Sequence, residues 1–217
     1  MLIGNSRRLF RNLCSSNSIR CRMNIMLYFG SFNPIHNGHL AIAEWVVQEE
    51  LCDEIWLVVS PQNPFKINDE LMPEADRLQM AERAVSKSAC CDRIRVSDFE
   101  FRLPKPSYTI DTLAEMEQAY PGHQFSVLIG SDNVDRMELW KNYRELLVRY
   151  RIFVYPRTGS EHPLLYAGMT LLEGAPLLHF SSTDVREAMK TGRDISKMIP
   201  AAAYHYIVAH YKLPVTE

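Results

Sequence analysis

The stretch "NIMLYFGSFNPIHNGHLAIAEWVVQEE", Asn24 to Glu50, sets the architecture. Its first residues form a nearly continuous apolar run, as expected for a strand covered on both faces. The pattern then breaks at "GSFNPIHNGHL", Gly30 to Leu40, and resumes with helical spacing from His39 to Glu50. A buried strand, a short polar turn and a helix make the first half of a βαβ unit. The turn holds two histidines three residues apart, two glycines and a proline.

The same alternation continues outward from this unit. Further strand candidates are Glu54 to Ser60, Arg93 to Phe99, Phe125 to Gly130, Arg151 to Arg157 and Pro176 to Phe180. Helical patterns cover Pro73 to Lys87, Tyr108 to Tyr120, Tyr143 to Tyr150, Thr183 to Lys190 and Pro200 to Tyr211. Ser182 is placed to cap the fifth of these six helices, and Pro200 suits a first helical turn. Strands alternating with helices predict an α/β fold: a doubly wound parallel sheet with helices on both faces.

At 217 residues and 47% hydrophobic content, the chain is long enough for one sizeable core. Residues 23–217 are expected to form a single domain. The first 22 residues, "MLIGNSRRLFRNLCSSNSIRCR", carry five arginines and no acid, and the first acidic residue is Glu44. Such a segment fits an organelle-import leader or, more simply, a mobile leader or upstream-start extension. No apolar run approaches the ~18 residues of a membrane span. A formal net charge of -2 supplies no broad field for a polyanion, so neither membrane nor nucleic acid is expected as a partner. Five cysteines, including the adjacent Cys90 and Cys91, show no metal-ligand pairing or disulfide framework, which suggests a reducing, cytoplasmic setting.

In an open parallel sheet, ligands bind beyond the carboxyl ends of the strands, where helix N-termini present unpaired N–H groups. The histidine turn lies there. Gly30 and Gly38 let the backbone approach a ligand, and His36 and His39 can donate to phosphate oxygens. Neither G-x-G-x-x-G nor G-x-x-x-x-G-K-[ST] occurs. Zinc fits poorly, because a third ligand is missing nearby. "SSTDVREAMK" offers a second phosphate site, with Ser181, Ser182 and Thr183 at a helix start and Arg186 one turn later.

"GSFNPIHNGHL" resembles the T/H-x-G-H signature of the nucleotidyltransferase superfamily. More narrowly, the chain is similar to the bacterial-type nicotinate-nucleotide adenylyltransferases from about Asn24 to its last helix. "SPQNPFK" (Ser60 to Lys66), "PSYTIDTL" (Pro106 to Leu113), "IGSDN" with the following Trp140, and "FSSTDVR" (Phe180 to Arg186) carry the same likeness. It implies a Rossmann-like fold and adenylyl transfer from ATP to nicotinate mononucleotide, with Mg²⁺ bridging the triphosphate. Gly30, Ser31, Phe32, Gly38, Ser181, Ser182, Thr183 and Arg186 are then expected at ATP, with His36 and His39 as catalytic donors. Thr109 is expected at the nicotinate carboxylate, Trp140 stacked on the pyridine, Asp132 at a ribose hydroxyl and Lys66 at the mononucleotide phosphate. Asp111 and Thr112 equally suit a helix cap. Asn33 stands where the family often has Asp, removing one charge near the triphosphate. The amide mononucleotide, phosphopantetheine, and a nucleotide-binding module without catalysis are the competing readings, and homo-oligomerisation is left open.

Overall fold

The computed structural model describes residues 22–62, 71–177 and 179–211. The proposed leader therefore lies outside the described residues, apart from Arg22. Six strands form one sheet: β1 (Asn24–Gly30), β2 (Glu54–Val59), β3 (Ile94–Ser97), β4 (Gln124–Gly130), β5 (Arg151–Tyr155) and β6 (Met169–Leu171). All pairs are parallel, in the order β3-β2-β1-β4-β5-β6. This is the Rossmann-like, doubly wound arrangement, and its order reverses between β1 and β4.

The helices are α1 (Asn37–Gln48), α2 (Glu74–Val85), α3 (Thr109–Ala119), α4 (Tyr143–Arg149), α5 (Ser182–Lys190) and α6 (Ala201–His210). Both faces of β1 are buried, as its unbroken apolar run requires. Met26 and Tyr28 join a core with Ile42, Val46, Met80, Val185 and Ile207 from the helices α1, α2, α5 and α6. Ile25 and Leu27 point the other way, into a core with Ile110, Leu113 and Met116 of α3 and Leu146 of α4. Among the described residues no helix is long and apolar enough to cross a membrane.

The sixth strand is not at Pro176 to Phe180. It forms earlier, where Met169 and Leu171 pair with Ile152 and Val154, and Leu172 N donates to Val154 O at 2.8 Å. Pro176 lacks the N–H a ladder needs, whereas "MTL" is bounded by Gly168 and Gly174 in positive-φ turns. Ser182 is likewise not the cap of α5. Ser181 takes that place, accepting from Asp184 N at 3.3 Å while the Asp184 carboxylate accepts from Ser181 N at 2.7 Å. Ser182 instead donates to Pro34 O at 2.9 Å, tying α5 to the histidine turn. Nor do Asp111 and Thr112 cap α3, whose start lacks a side-chain cap. Asp111 pairs with Lys141 at 2.7 Å, and Thr112 bonds Glu100.

Among the described residues two 3₁₀ segments also went unread in the sequence, Phe99–Arg102 after β3 and Ser131–Leu139 after β4. Each turns the chain at the carboxyl edge of the sheet and carries residues of the site below.

Candidate active site

A cavity of about 420 Å³ opens at the carboxyl ends of β1 and β4, on the point where strand order reverses. Its lining includes Gly30, Ser31, Phe32, His36, His39, Ser181, Ser182 and Thr183, and also Thr109, Asp132 and Trp140. Gly38 and Arg186 are not among the lining residues, and Lys66 falls outside the described ones.

The histidine turn is built by α1. His36 is its N-cap in extended conformation, and the amide of His36 donates to His39 Nδ1 at 3.2 Å. That bond fixes the His39 tautomer with its proton on Nε2, the arrangement needed to donate. The two rings stack with centroids 3.7 Å apart, and the His39 ring stands edge-on to Phe32 at 5.0 Å. Phe32, buried at φ 44°, fills the space a side chain at Gly30 would need: a Cβ there would meet the ring at 2.9 Å. Gly30 thus makes room for a supporting aromatic.

His36 is 1% exposed, and its Nδ1 has no hydrogen-bond partner. Burial first, and the nearby Arg157 second, push its pKa down to about 3, so it is neutral at physiological pH. An unpaired buried ring nitrogen on a cavity wall is a costly feature unless a ligand completes it. The same holds for Trp140 Nε1, which is buried without a partner.

A stability prediction follows from His36. Its folded pKa lies below its unfolded value of about 6.5, so between those values the unfolded chain binds a proton that the folded chain refuses. Its contribution is fully present above pH 7 and falls as pH drops, by up to about 1.4 kcal/mol per unit. Urea unfolding at pH 7.5 and 5.0 should show this loss, and His36→Gln should flatten it; equal slopes in both proteins contradict the assignment.

Sequence reading missed several lining residues. Tyr28 and Tyr155, fully covered on β1 and β5, share a hydroxyl contact of 2.9 Å. Arg157 follows Pro156, which ends β5, and its guanidinium lies 3.7 Å from the Asp132 carboxylate. Gly130 lets these two converge, because a Cβ there would meet Asp132 Oδ1 at 2.5 Å and Arg157 Cδ at 2.7 Å. Glu100 and Ser107 line the same cavity from the loop that leads into α3. An arginine just past a strand's carboxyl end was the available signal for Arg157. A lone acid inside "DFEFRL" was the one for Glu100.

Two other residues hold the turn from behind. Asn33, 2% exposed, accepts at Oδ1 from Met72 N at 3.2 Å and from the Tyr211 hydroxyl, so it serves as a knot between loops. Arg186 Nη1 donates to Asn33 O at 2.7 Å, and Nη2 donates to Thr183 Oγ1 at 3.2 Å. Among the described residues no cluster of three or more His, Cys, Asp or Glu could hold a metal.

Residues 27–188 match the cytidylyltransferase-like family model. A protein of Cytophaga hutchinsonii named "Probable nicotinate-nucleotide adenylyltransferase" is 44% identical over 178 residues, covering 82% of this chain and 91% of the relative. Its namesake in Bacteroides fragilis is 42% identical over 183 residues, covering 84% and 90%. In fold, the chain is similar to the Plasmodium falciparum nicotinic acid mononucleotide adenylyltransferase complexed with NaAD, with a TM-score of 0.74 and 20% identity over 88% of this chain and 98% of that one.

Proposed function

Since the chain belongs to the nicotinate-nucleotide adenylyltransferase family, we propose that its cavity brings ATP and nicotinate mononucleotide together for adenylyl transfer, giving deamido-NAD and pyrophosphate in NAD biosynthesis. One observation carries the assignment of roles: a single cavity is lined by the paired histidines, by a serine-threonine helix start and by Thr109 with Trp140.

In this reaction a phosphate oxygen of the mononucleotide attacks the α-phosphorus of ATP, and the bond to the β-phosphate breaks as pyrophosphate leaves. The protein's task is to position the two molecules and stabilise spread negative charge. His36 and His39 are assigned as donors to the ATP phosphates. Ser31, the Gly30–Phe32 backbone, the first turn of α1 that includes Gly38, and Ser181, Ser182 and Thr183 shape the remainder of the ATP subsite. Arg186 steadies the turn from behind and faces the phosphates through Thr183. Arg157, which also lines the cavity, supplies a fixed cation for the attacking or the transferred phosphate. Thr109 and the first amides of α3 suit a carboxylate, Trp140 suits the pyridine face, and Asp132 suits a ribose hydroxyl. Lys66 is retained as a partner of the mononucleotide phosphate. Mg²⁺, bound through triphosphate oxygens, would neutralise charge on the leaving pyrophosphate.

The test is pyrophosphate release. It should require ATP and nicotinate mononucleotide together; ATP binding with no release in their joint presence would favour a binding module without catalysis.

A further inference from the structure

We propose that Glu100 is a positioning residue for the mononucleotide half of the cavity. The inference rests on the functional reading above and deepens it.

Glu100 sits on the 3₁₀ segment after β3, lines the cavity and is only 2% exposed. Its carboxylate is held by neutral hydroxyls. Ser107 Oγ donates to Oε2 at 2.8 Å and Thr112 Oγ1 donates to Oε1 at 2.7 Å, with the Ser60 hydroxyl as a further contact. Among the described residues no lysine, arginine or histidine forms a salt bridge with it. Burial raises its pKa, and the hydroxyl donors oppose that rise. A buried carboxylate without a cation is costly, and a framework needing only hydrogen bonds could use a neutral side chain.

The carboxylate does something a neutral group cannot. It accepts only, so it dictates the direction of every hydroxyl proton around it. Ser107 and Thr112 flank Tyr108 and Thr109, so their bonds to one rigid acceptor fix the entry of α3 from both sides. The first amides of α3 and the Thr109 side chain are thereby aimed into the cavity. The Ser60 contact adds the end of β2, whose carbonyl accepts from the buried Arg77 at 2.7 Å. Arg77 Nη1 also donates to Ser31 O at 2.6 Å, so the mononucleotide end is braced against the histidine turn.

The sign of one measurement separates positioning from bulk charge. If Glu100 merely repelled an anionic substrate, removing its charge would tighten nicotinate mononucleotide. Positioning predicts the opposite. Initial rates with ATP and nicotinate mononucleotide varied separately should show that Glu100→Gln raises KM for the mononucleotide at least ~10-fold, with kcat and KM for ATP within about threefold. Thr112→Val, which keeps the shape and removes one hydroxyl, should shift the same KM in the same direction by a smaller factor, and it decides the matter if Glu100→Gln does not fold. A lowered or unchanged mononucleotide KM overturns the proposal, as does a parallel rise in both KM values with a fallen melting midpoint. Absence of transfer in the wild type would instead overturn the functional reading.

Discussion

His39→Ala is expected to lower kcat by about 10²–10³ while leaving the melting midpoint within a few degrees of wild type, the loss typical of one preorganised donor to developing charge. The size comes from how firmly the ring is held. Its Nδ1 is committed to the His36 amide, and its ring stacks on His36 and packs T-shaped with Phe32. The Nε2–H can therefore reach a phosphate oxygen with no reorganisation at the moment of transfer. The ring is only partly buried, so its removal opens no large void in the core. Steady-state kinetics with thermal unfolding by circular dichroism checks both halves. Near-normal turnover in a folded variant would remove His39 from the chemistry.

The second large effect concerns selectivity. The helix-start amides beside Thr109 only donate, and the Thr109 hydroxyl can turn its proton the same way, which suits a carboxylate. An amide ligand turns its own NH₂ toward one of those donors and leaves it unpaired, at a cost of about 1–3 kcal/mol, or roughly ten- to a hundred-fold in kcat/KM. Wild type should prefer nicotinate over nicotinamide mononucleotide by at least the lower figure. Thr109→Val should narrow that preference, mainly by weakening the acid. Trp140→Ala should harm both substrates alike, because stacking on a pyridine hardly distinguishes carboxylate from amide. Equal use of both mononucleotides by the wild type would remove the nicotinate assignment. A preference unchanged in Thr109→Val would shift recognition to the amides of α3 or to Trp140 Nε1, the buried donor that lacks a partner.

How much of this was legible in the sequence depended on whether a residue's meaning is local. Strands β1 to β5 and all six helices could be placed to within a few residues, because buried parallel strands and amphipathic helices write their periods directly into the chain. The sixth strand, three residues long at the sheet edge, has too little apolar signal to compete with the longer run at Pro176 to Phe180. The histidine turn and the start of α5 announced themselves through caps and glycines. Arg157, Glu100, Tyr28 and Tyr155 did not, since each is a lone residue that acquires a role only when the topology brings β1, β5 and the two 3₁₀ segments to one edge. Asn33 and Arg186 show the converse. Both stand in motifs that suggest ligand contact, yet their hydrogen bonds hold the turn itself.

Both histidines are cast as donors and neither as a nucleophile, which requires the mononucleotide phosphate to attack ATP directly. The measurement closest to that requirement is the stereochemical course of transfer from ATP made chiral at the α-phosphorus with sulfur. Direct in-line attack predicts a dinucleotide with inverted configuration at that phosphorus. Retention would mean two successive displacements through an adenylyl group carried on the protein, and would contradict the roles given to His36 and His39.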